Sequence, residues 1–173
     1  MKILSFDAET NGLYGDAFAI GAIVYNKKGQ EIDRFVARLP DSSVADEWVR
    51  ENVLPQLSGF KVTHESYLEM LREFADFYMR YRESKKLVHM GCPVEAKLII
   101  DMSSVGFIGQ WDGPYPLIDV AGHLEMAGED PTSIDKFLKK SGINVAGFEG
   151  GTHNPLYDSA AAASTYFELM SGK

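Results

Sequence analysis

The sequence predicts an α/β fold on a mixed five-stranded sheet, three antiparallel strands first, with helices on both faces. Three observations predict it. Strand-like apolar runs crowd the first 40 positions, helical periodicity follows, and two further short apolar runs are each followed by a helical segment. Residues 3–8 (ILSFDA), 19–26 (AIGAIVYN) and 31–39 (EIDRFVARL) are the opening strands. Lys28-Gly29, within the turn KKGQ, marks a hairpin between the second and third, so the three pair as an antiparallel meander. Residues 45–57 (ADEWVRENVLPQL) have helical spacing that stops near Pro55. Residues 64–83 form a longer helix in which Tyr67, Leu68, Leu71, Phe74, Ala75 and Tyr78 recur at three- and four-residue steps, a core stripe. A short buried strand at 85–91 leads into a helix at 93–106 opened by Pro93. A fifth strand at 115–120 leads into helices at 121–128 and 133–142, a Gly-rich loop at 147–151 and a terminal helix at 155–172.

The chain has 173 residues, which fits one domain spanning 1–173. It is 45% hydrophobic and 24% charged, enough apolar material for a core and unlike a disordered segment. The single cysteine, Cys92, excludes an internal disulfide framework and any cysteine-only metal site, and suits a reducing compartment. The N-terminus reaches Asp7 before any signal-peptide core can form, and no apolar run approaches the roughly 20 residues that cross a bilayer. The expectation is a cytoplasmic protein with no membrane partner. A formal charge of -8 argues against a protein that coats nucleic acid, since phosphate binding is carried by Lys and Arg. It leaves room for carboxylates that hold divalent cations facing phosphate, and it is equally the charge of an ordinary acidic protein.

Two clusters carry chemistry. Asp7 and Glu9 alternate along the first strand, so their carboxylates share one face while Phe6 and Ala8 take the other. Like charges side by side are relieved by a cation or by solvent, and hard ions such as Mg²⁺ favour carboxylate oxygens. Alone, the pair is equally an exposed polar edge. The second cluster is HNPLYD, residues 153–158. Asn154 suits an N-cap and Pro155 the first helical position, which leaves His153 in the loop and Asp158 in the first turns. Such a histidine can act as a general base and such an aspartate as a metal ligand. They also fit an exposed loop imidazole and an acid that favours the helix dipole.

The run from Phe6 to Leu13, FDAETNGL, resembles the first motif of the DEDDh exonuclease superfamily, which includes proofreading exonucleases, ribonuclease T and oligoribonuclease. His153, four residues and then Asp158 before a small-residue helix resembles its third motif. The resemblance spans nearly the whole chain and implies a ribonuclease H-like fold. It also implies 3'-5' exonuclease activity that releases nucleoside 5'-monophosphates with two Mg²⁺ (or Mn²⁺) ions. In that scheme Asp7, Glu9 and Asp158 hold one ion, Asp7 and a middle-motif acid the other, and His153 is the base. Backbone amides from Thr10 through Asn11 and Gly12 to Leu13 contact the terminal nucleotide. Residues 45–57 further resemble a subgroup of small mycobacterial-type exoribonucleases, which favours RNA over DNA as the single-stranded 3' end. The family also supplies the expectation of a homodimer.

The middle motif departs from the family pattern. An aspartate normally follows the fourth strand, preceded by an asparagine and an aromatic residue; here the stretch is HMGCPVEAKLI. Alignment on Leu98-Ile99 places Glu95 at that position, one methylene longer, and the same residue would also favour the helix dipole. Asp101, six residues on, lies about 9 Å higher along the helix and reads as surface. Asp119 reads as a cap, and His64, His89 and His123 as core or surface. Lys136, Lys139 and Lys140 read as a solvated face, Gly150-Gly151 as a turn or mobile loop, and Phe18, Trp48 and Trp111 as candidates for base stacking. Two other classes stay open: a ribonuclease H-type endonuclease, which shares the fold and acids but not the His-x4-Asp third motif, and a nuclease-fold binding module without turnover, which the altered middle motif favours.

Overall fold

The computed structural model describes residues 2–145, 151 and 153–171; of the loop expected at 147–151, all but Gly151 lies outside them. Five strands form one sheet in the order β3-β2-β1-β4-β5. β1 (Lys2–Thr10), β2 (Ala17–Asn26) and β3 (Glu31–Arg38) are the antiparallel meander, with Gly29 at φ 74° closing the β2-β3 turn that an L side chain would strain. β4 (Lys85–Val88) runs parallel to β1, and β5 (Leu117–Asp119) parallel to β4. This is the mixed five-stranded sheet expected from sequence.

The pleat of β1 separates two cores. Leu4, Phe6 and Ala8 face α1 (Glu47–Asn52), α2 (Tyr67–Arg80) and α3 (Val94–Ser104), where Phe74, Tyr78 and Leu98 are buried. Ile3 faces α4 (Val120–Met126), α5 (Ile134–Ser141) and α6 (Pro155–Ser171), packed through Leu124, Phe137 and the run Ala160–Ala163. Helices therefore cover both faces. Short alanine side chains let α6 lie close against β1 and β2.

Two local expectations change. The helix expected over 45–57 is only six residues long, because Val53 ends it and Pro55 starts a separate 3₁₀ turn, Leu54–Leu57. In α2 Leu71, Phe74, Ala75 and Tyr78 are buried as expected and Tyr67 packs against them, but the stripe also takes in Met70 and Phe77, whereas Leu68 is 49% exposed and falls outside it. Among the described residues no helix is long and apolar enough to cross a membrane.

Candidate active site

β1 runs on past its last partner in β4, the pair Ser5 and Leu87, and its final residues project from the C-terminal edge of the parallel strands. Asp7 and Glu9 stand there on the α6 face. The N-terminus of α6 brings the third acid. Asn154 is 2% exposed, and its Oδ1 accepts the amides of Leu156 and Tyr157, each at 3.1 Å, so Pro155 begins the helix and Asp158 falls in its first turn. Carboxylate oxygens of Asp7, Glu9 and Asp158 lie within 4.8 Å of one another.

The closeness of α6 to the sheet depends on three residues that sequence reasoning missed. A Cβ on Gly21, which pairs with Asp7, would lie 2.4 Å from the Pro155 carbonyl carbon. Ser159 donates to the Gly21 carbonyl at 3.0 Å, and Ser5 donates to the Ser159 carbonyl at 2.8 Å. Gly21 in a strand and serines at 5 and 159 are the only sequence trace of this seam, and each is common in other settings.

His153 precedes the cap at φ 70°, a left-handed conformation rare for residues other than glycine. Its amide donates to Asp158 Oδ2 at 3.0 Å, and its Nδ1 sits 3.7 Å from Glu9 Oε2. The neighbouring Glu9 carboxylate raises the imidazole pKa above its ordinary value, against an opposing effect of burial. Met90, on the same cavity, is the second non-glycine residue at positive φ among those described, at 53°. Local strain of this kind concentrates at functional sites.

Glu95, in the first turn of α3, is 3% exposed. Its Oε1 accepts the Ala8 amide at 3.0 Å, on the edge of β1 that β4 no longer covers. It lies outside the three-acid cluster but lines the same cavity, about 350 Å³, with Asp7, Glu9, His153 and Asp158. Burial pushes the Glu95 pKa up to about 8, with Glu9 and Asp119 adding to the shift. Burial, then Glu9, pushes Asp158 up to about 7. Burial, followed by Glu95, Asp158 and Glu9, raises the Asp7 pKa well above its ordinary value. These acids hold their charges at a cost. A donor set made only of carboxylate oxygens, crowded to this degree, fits a hard divalent cation such as Mg²⁺ or Mn²⁺.

A second cleft, about 370 Å³, adjoins the first and is lined by Thr10, Gly12, Leu13, Trp48, Val49 and Val94 together with Glu9 and His153. Trp48 is 59% exposed and meets the His153 ring edge-on, with centroids 6.0 Å apart. Asn11 is not part of this lining. Its side chain donates to the Ser43 carbonyl at 2.7 Å and accepts from Ala45, tying the first motif to the entry of α1, while its amide donates to the Asp16 carbonyl.

Of the other sequence candidates His89 lines the first cavity, and the rest fall elsewhere. Asp101 bonds Tyr67 and Lys97. Asp119 caps α4 through the Ala121 amide and also accepts the amides of Met90 and Gly91. His64 contacts Glu73, His89 the Pro131 carbonyl, and His123 the Asp119 carbonyl. Lys136 and Lys140 pair with Asp130 and Glu129, and Phe18 is buried in the core.

The fold is that of exonucleases of known structure. The chain superposes on exonuclease X in complex with 5' overhanging duplex DNA at TM-score 0.62 and 16% identity, over 99% of this chain and 92% of that one. It superposes on E. coli exonuclease I in complex with a dA16 oligonucleotide at TM-score 0.66 and 14% identity, over 99% of this chain and 41% of that one. The metal-free form of the E. coli exonuclease I complex with single-stranded DNA gives TM-score 0.64 and 13% identity, over 99% and 40%. The chain therefore spans less than half the length of exonuclease I. Identities this low speak of the fold alone. No protein-family model and no curated protein sequence matches the chain.

Proposed function

We propose that this chain is a metal-dependent 3'-5' exonuclease that releases nucleoside 5'-monophosphates from single-stranded nucleic acid, with RNA favoured over DNA. The observation that carries the proposal is the convergence of Asp7, Glu9 and Asp158 within 4.8 Å, with the loop imidazole of His153 beside Glu9. Asp7, Glu9 and Asp158 would hold one Mg²⁺ or Mn²⁺, and Asp7 with Glu95 a second. Bound there, the ions supply Lewis-acid stabilisation of phosphoryl charge and a water more acidic than bulk water.

The chain's own residues account for the rest. His153 takes the proton of the attacking water as general base, its tendency to hold that proton strengthened by Glu9. The backbone bond from His153 to Asp158 fixes the loop relative to one metal ligand. The apolar cleft of Leu13, Val49 and Val94 receives the terminal base and Trp48 stacks on it, while Thr10 and Gly12 line the ribose side. Asn11 acts by holding the first motif against α1. The preference for RNA rests on the sequence resemblance of residues 45–57, and the assay carries both polymers.

The test incubates 3'-tailed single-stranded RNA and DNA with Mg²⁺ or Mn²⁺ and resolves the products. The expected result is metal-dependent release of mononucleotides from the 3' end, abolished by Asp7→Ala and by His153→Ala. Internal cuts would replace the proposal with an endonuclease. Strand binding without any release would replace it with a binding module.

A further inference from the structure

The end of the sheet opposite the acidic cluster has the opposite electrical character. Lys2 begins β1, Lys27 and Lys28 form the β2-β3 turn, and Lys85 begins β4 beside Ile3. All four are exposed, and none makes an ion pair among the described residues. Several basic residues elsewhere are neutralised locally, Lys97 by Asp16 and Asp101, Lys136 by Asp130, Lys140 by Glu129 and Arg38 by Asp41, while Arg50, Lys61, Arg72 and Lys139 stand singly without an ion pair among the described residues, so it is the grouping of four that sets this end apart. In a chain of net charge -8 this grouping of unpaired cations is a local inversion of sign.

The same end is concave and aromatic. Lys27, Lys28 and Lys85 rim a cavity of about 560 Å³ whose floor includes Ile3, Phe167 and Met170. Lys85 also rims an adjoining cavity of about 500 Å³ that holds Trp111 and Tyr115, 85% and 102% exposed. Lys86 secures the turn between these cavities. Its buried ammonium donates to the Tyr81, Arg82 and Ser84 carbonyls at 2.7–2.9 Å, so the α2-β4 connection is held from inside and Lys85 is left outward. Most acids here are engaged, Glu83 and Asp112 by Arg82, Glu31 by Arg34 and Asp33 by Arg80, and Glu168, exposed between Phe167 and Met170, is the one without an ion pair among these five.

Unpaired lysines beside exposed aromatic faces match the two chemical surfaces of a single strand, phosphate and base. We propose that this end of the sheet binds the body of the single-stranded nucleic acid whose 3' end enters the acidic site; the inference rests on the exonuclease reading for the identity of the strand. It also answers the electrostatic problem of an acidic nuclease, because the attraction that retains the polymer is placed away from the carboxylates. The distance sets a length threshold. Ile3 to Glu9 along β1 is about 20 Å at about 3.3 Å per residue. A stacked strand advances about 3.4 Å per nucleotide, so at least about six nucleotides are needed to reach both ends.

The test compares Lys27→Glu/Lys28→Glu, and separately Lys85→Gln, with the parent protein. Binding of 5'-fluorescein oligo(A) of about 20 nucleotides and of a trinucleotide is followed by anisotropy in EDTA, and mononucleotide release is followed in Mg²⁺. The turn variant should bind the long strand about tenfold more weakly at low salt, with a log-log salt slope shallower by about 0.7 for each phosphate that the lysines no longer neutralise. Trinucleotide binding and release should stay at parent values. Lys85→Gln, which keeps length and polarity, should give a smaller loss in the same direction. An unchanged long-strand affinity and salt slope would overturn the inference, as would equal weakening for the trinucleotide. If the parent releases no mononucleotide while the lysine variants still weaken long-strand binding, the exonuclease reading fails and this surface stands.

Discussion

Replacing Glu95 by glutamine should move stability and activity in opposite directions. The Glu95 carboxyl is buried, accepts the Ala8 amide at 3.0 Å and has its pKa pushed up to about 8. Its folded-state pKa lies above the unfolded value, so the metal-free protein loses stability as pH rises from about 4.5 to about 8, and the loss is complete above that window. At about 1.4 kcal/mol per pKa unit, the shift from 4.5 to about 8 has a ceiling of about 5 kcal/mol, reduced because the neighbouring acids share protons. Glutamine keeps the shape and the acceptor for Ala8 and removes the charge. In EDTA at pH 8.5, Glu95→Gln should therefore melt about 3–10 °C above the parent, from about 1–4 kcal/mol at the slope usual for this size. At pH 4.5, where the parent carboxyl is protonated, the two should melt together. Mononucleotide release should fall by about 10²-fold or more if the carboxylate serves the second ion. Differential scanning fluorimetry across pH, with the exonuclease assay, reads both. A variant less stable at pH 8.5, or one with parental activity, would refute the reasoning.

Three further perturbations bear on the site. Gly21→Ala places a Cβ 2.4 Å from the Pro155 backbone, which cannot yield as a side chain would. It should cost about 1–3 kcal/mol and reduce turnover by at least about tenfold, since Asp158 and His153 move with α6; parental melting and turnover together would contradict this. The Asp158 pKa is raised from 3.8 to about 7, so metal-free melting should decline as pH rises through that interval, and added Mg²⁺ should raise it more at pH 7.5 than at pH 5. No ion-dependent shift at either pH would argue against a metal site. Trp48→Ala should raise KM by the equivalent of about 1–3 kcal/mol of stacking with little change in kcat, and Trp48→Phe should restore part of it; an unchanged KM would remove the base from this cleft.

The sheet is legible because its strands alternate or run apolar and its meander turns on Lys28-Gly29, signals that survive in a single sequence. Asp7, Glu9, His153 and Asp158 are legible as two local patterns, and the structure brings them into one cavity. What the sequence does not display has a common cause. The Gly21, Ser159 and Ser5 seam is a contact between segments up to 154 residues apart, and small residues leave no periodic trace. Asn11 reads as a substrate contact because it sits inside the first motif, yet its amide is taken by the Asp16 carbonyl and its side-chain partners lie beyond residue 40 in a segment whose path the sequence does not reveal. In α2, three- and four-residue steps fit more than one face of a short helix. Leu68 falls off the buried stripe for that reason, and only the packing of Met70 and Phe77 selects the face.

The departure at the middle motif is best judged from the edge of β1. β4 stops pairing with β1 at Ser5, which leaves the Ala8 amide with no strand partner, and the Glu95 carboxyl supplies the acceptor. One carboxyl oxygen thus completes the sheet edge while the other faces the cavity beside Gly91. An aspartate on the same helical position would fall short by about 1.5 Å, one carbon-carbon bond. Glu95→Asp, which installs the residue the resembled family usually has, should therefore harm this protein. A buried amide without an acceptor costs about 1–3 kcal/mol, so melting should drop by several degrees at pH 5, where the charge contributes little, and turnover should not rise above the parent. Unchanged melting at pH 5 with equal or faster turnover would show that the sheet edge does not need the longer side chain. The glutamate would then be an incidental replacement for the aspartate, with no tie to how β1 ends.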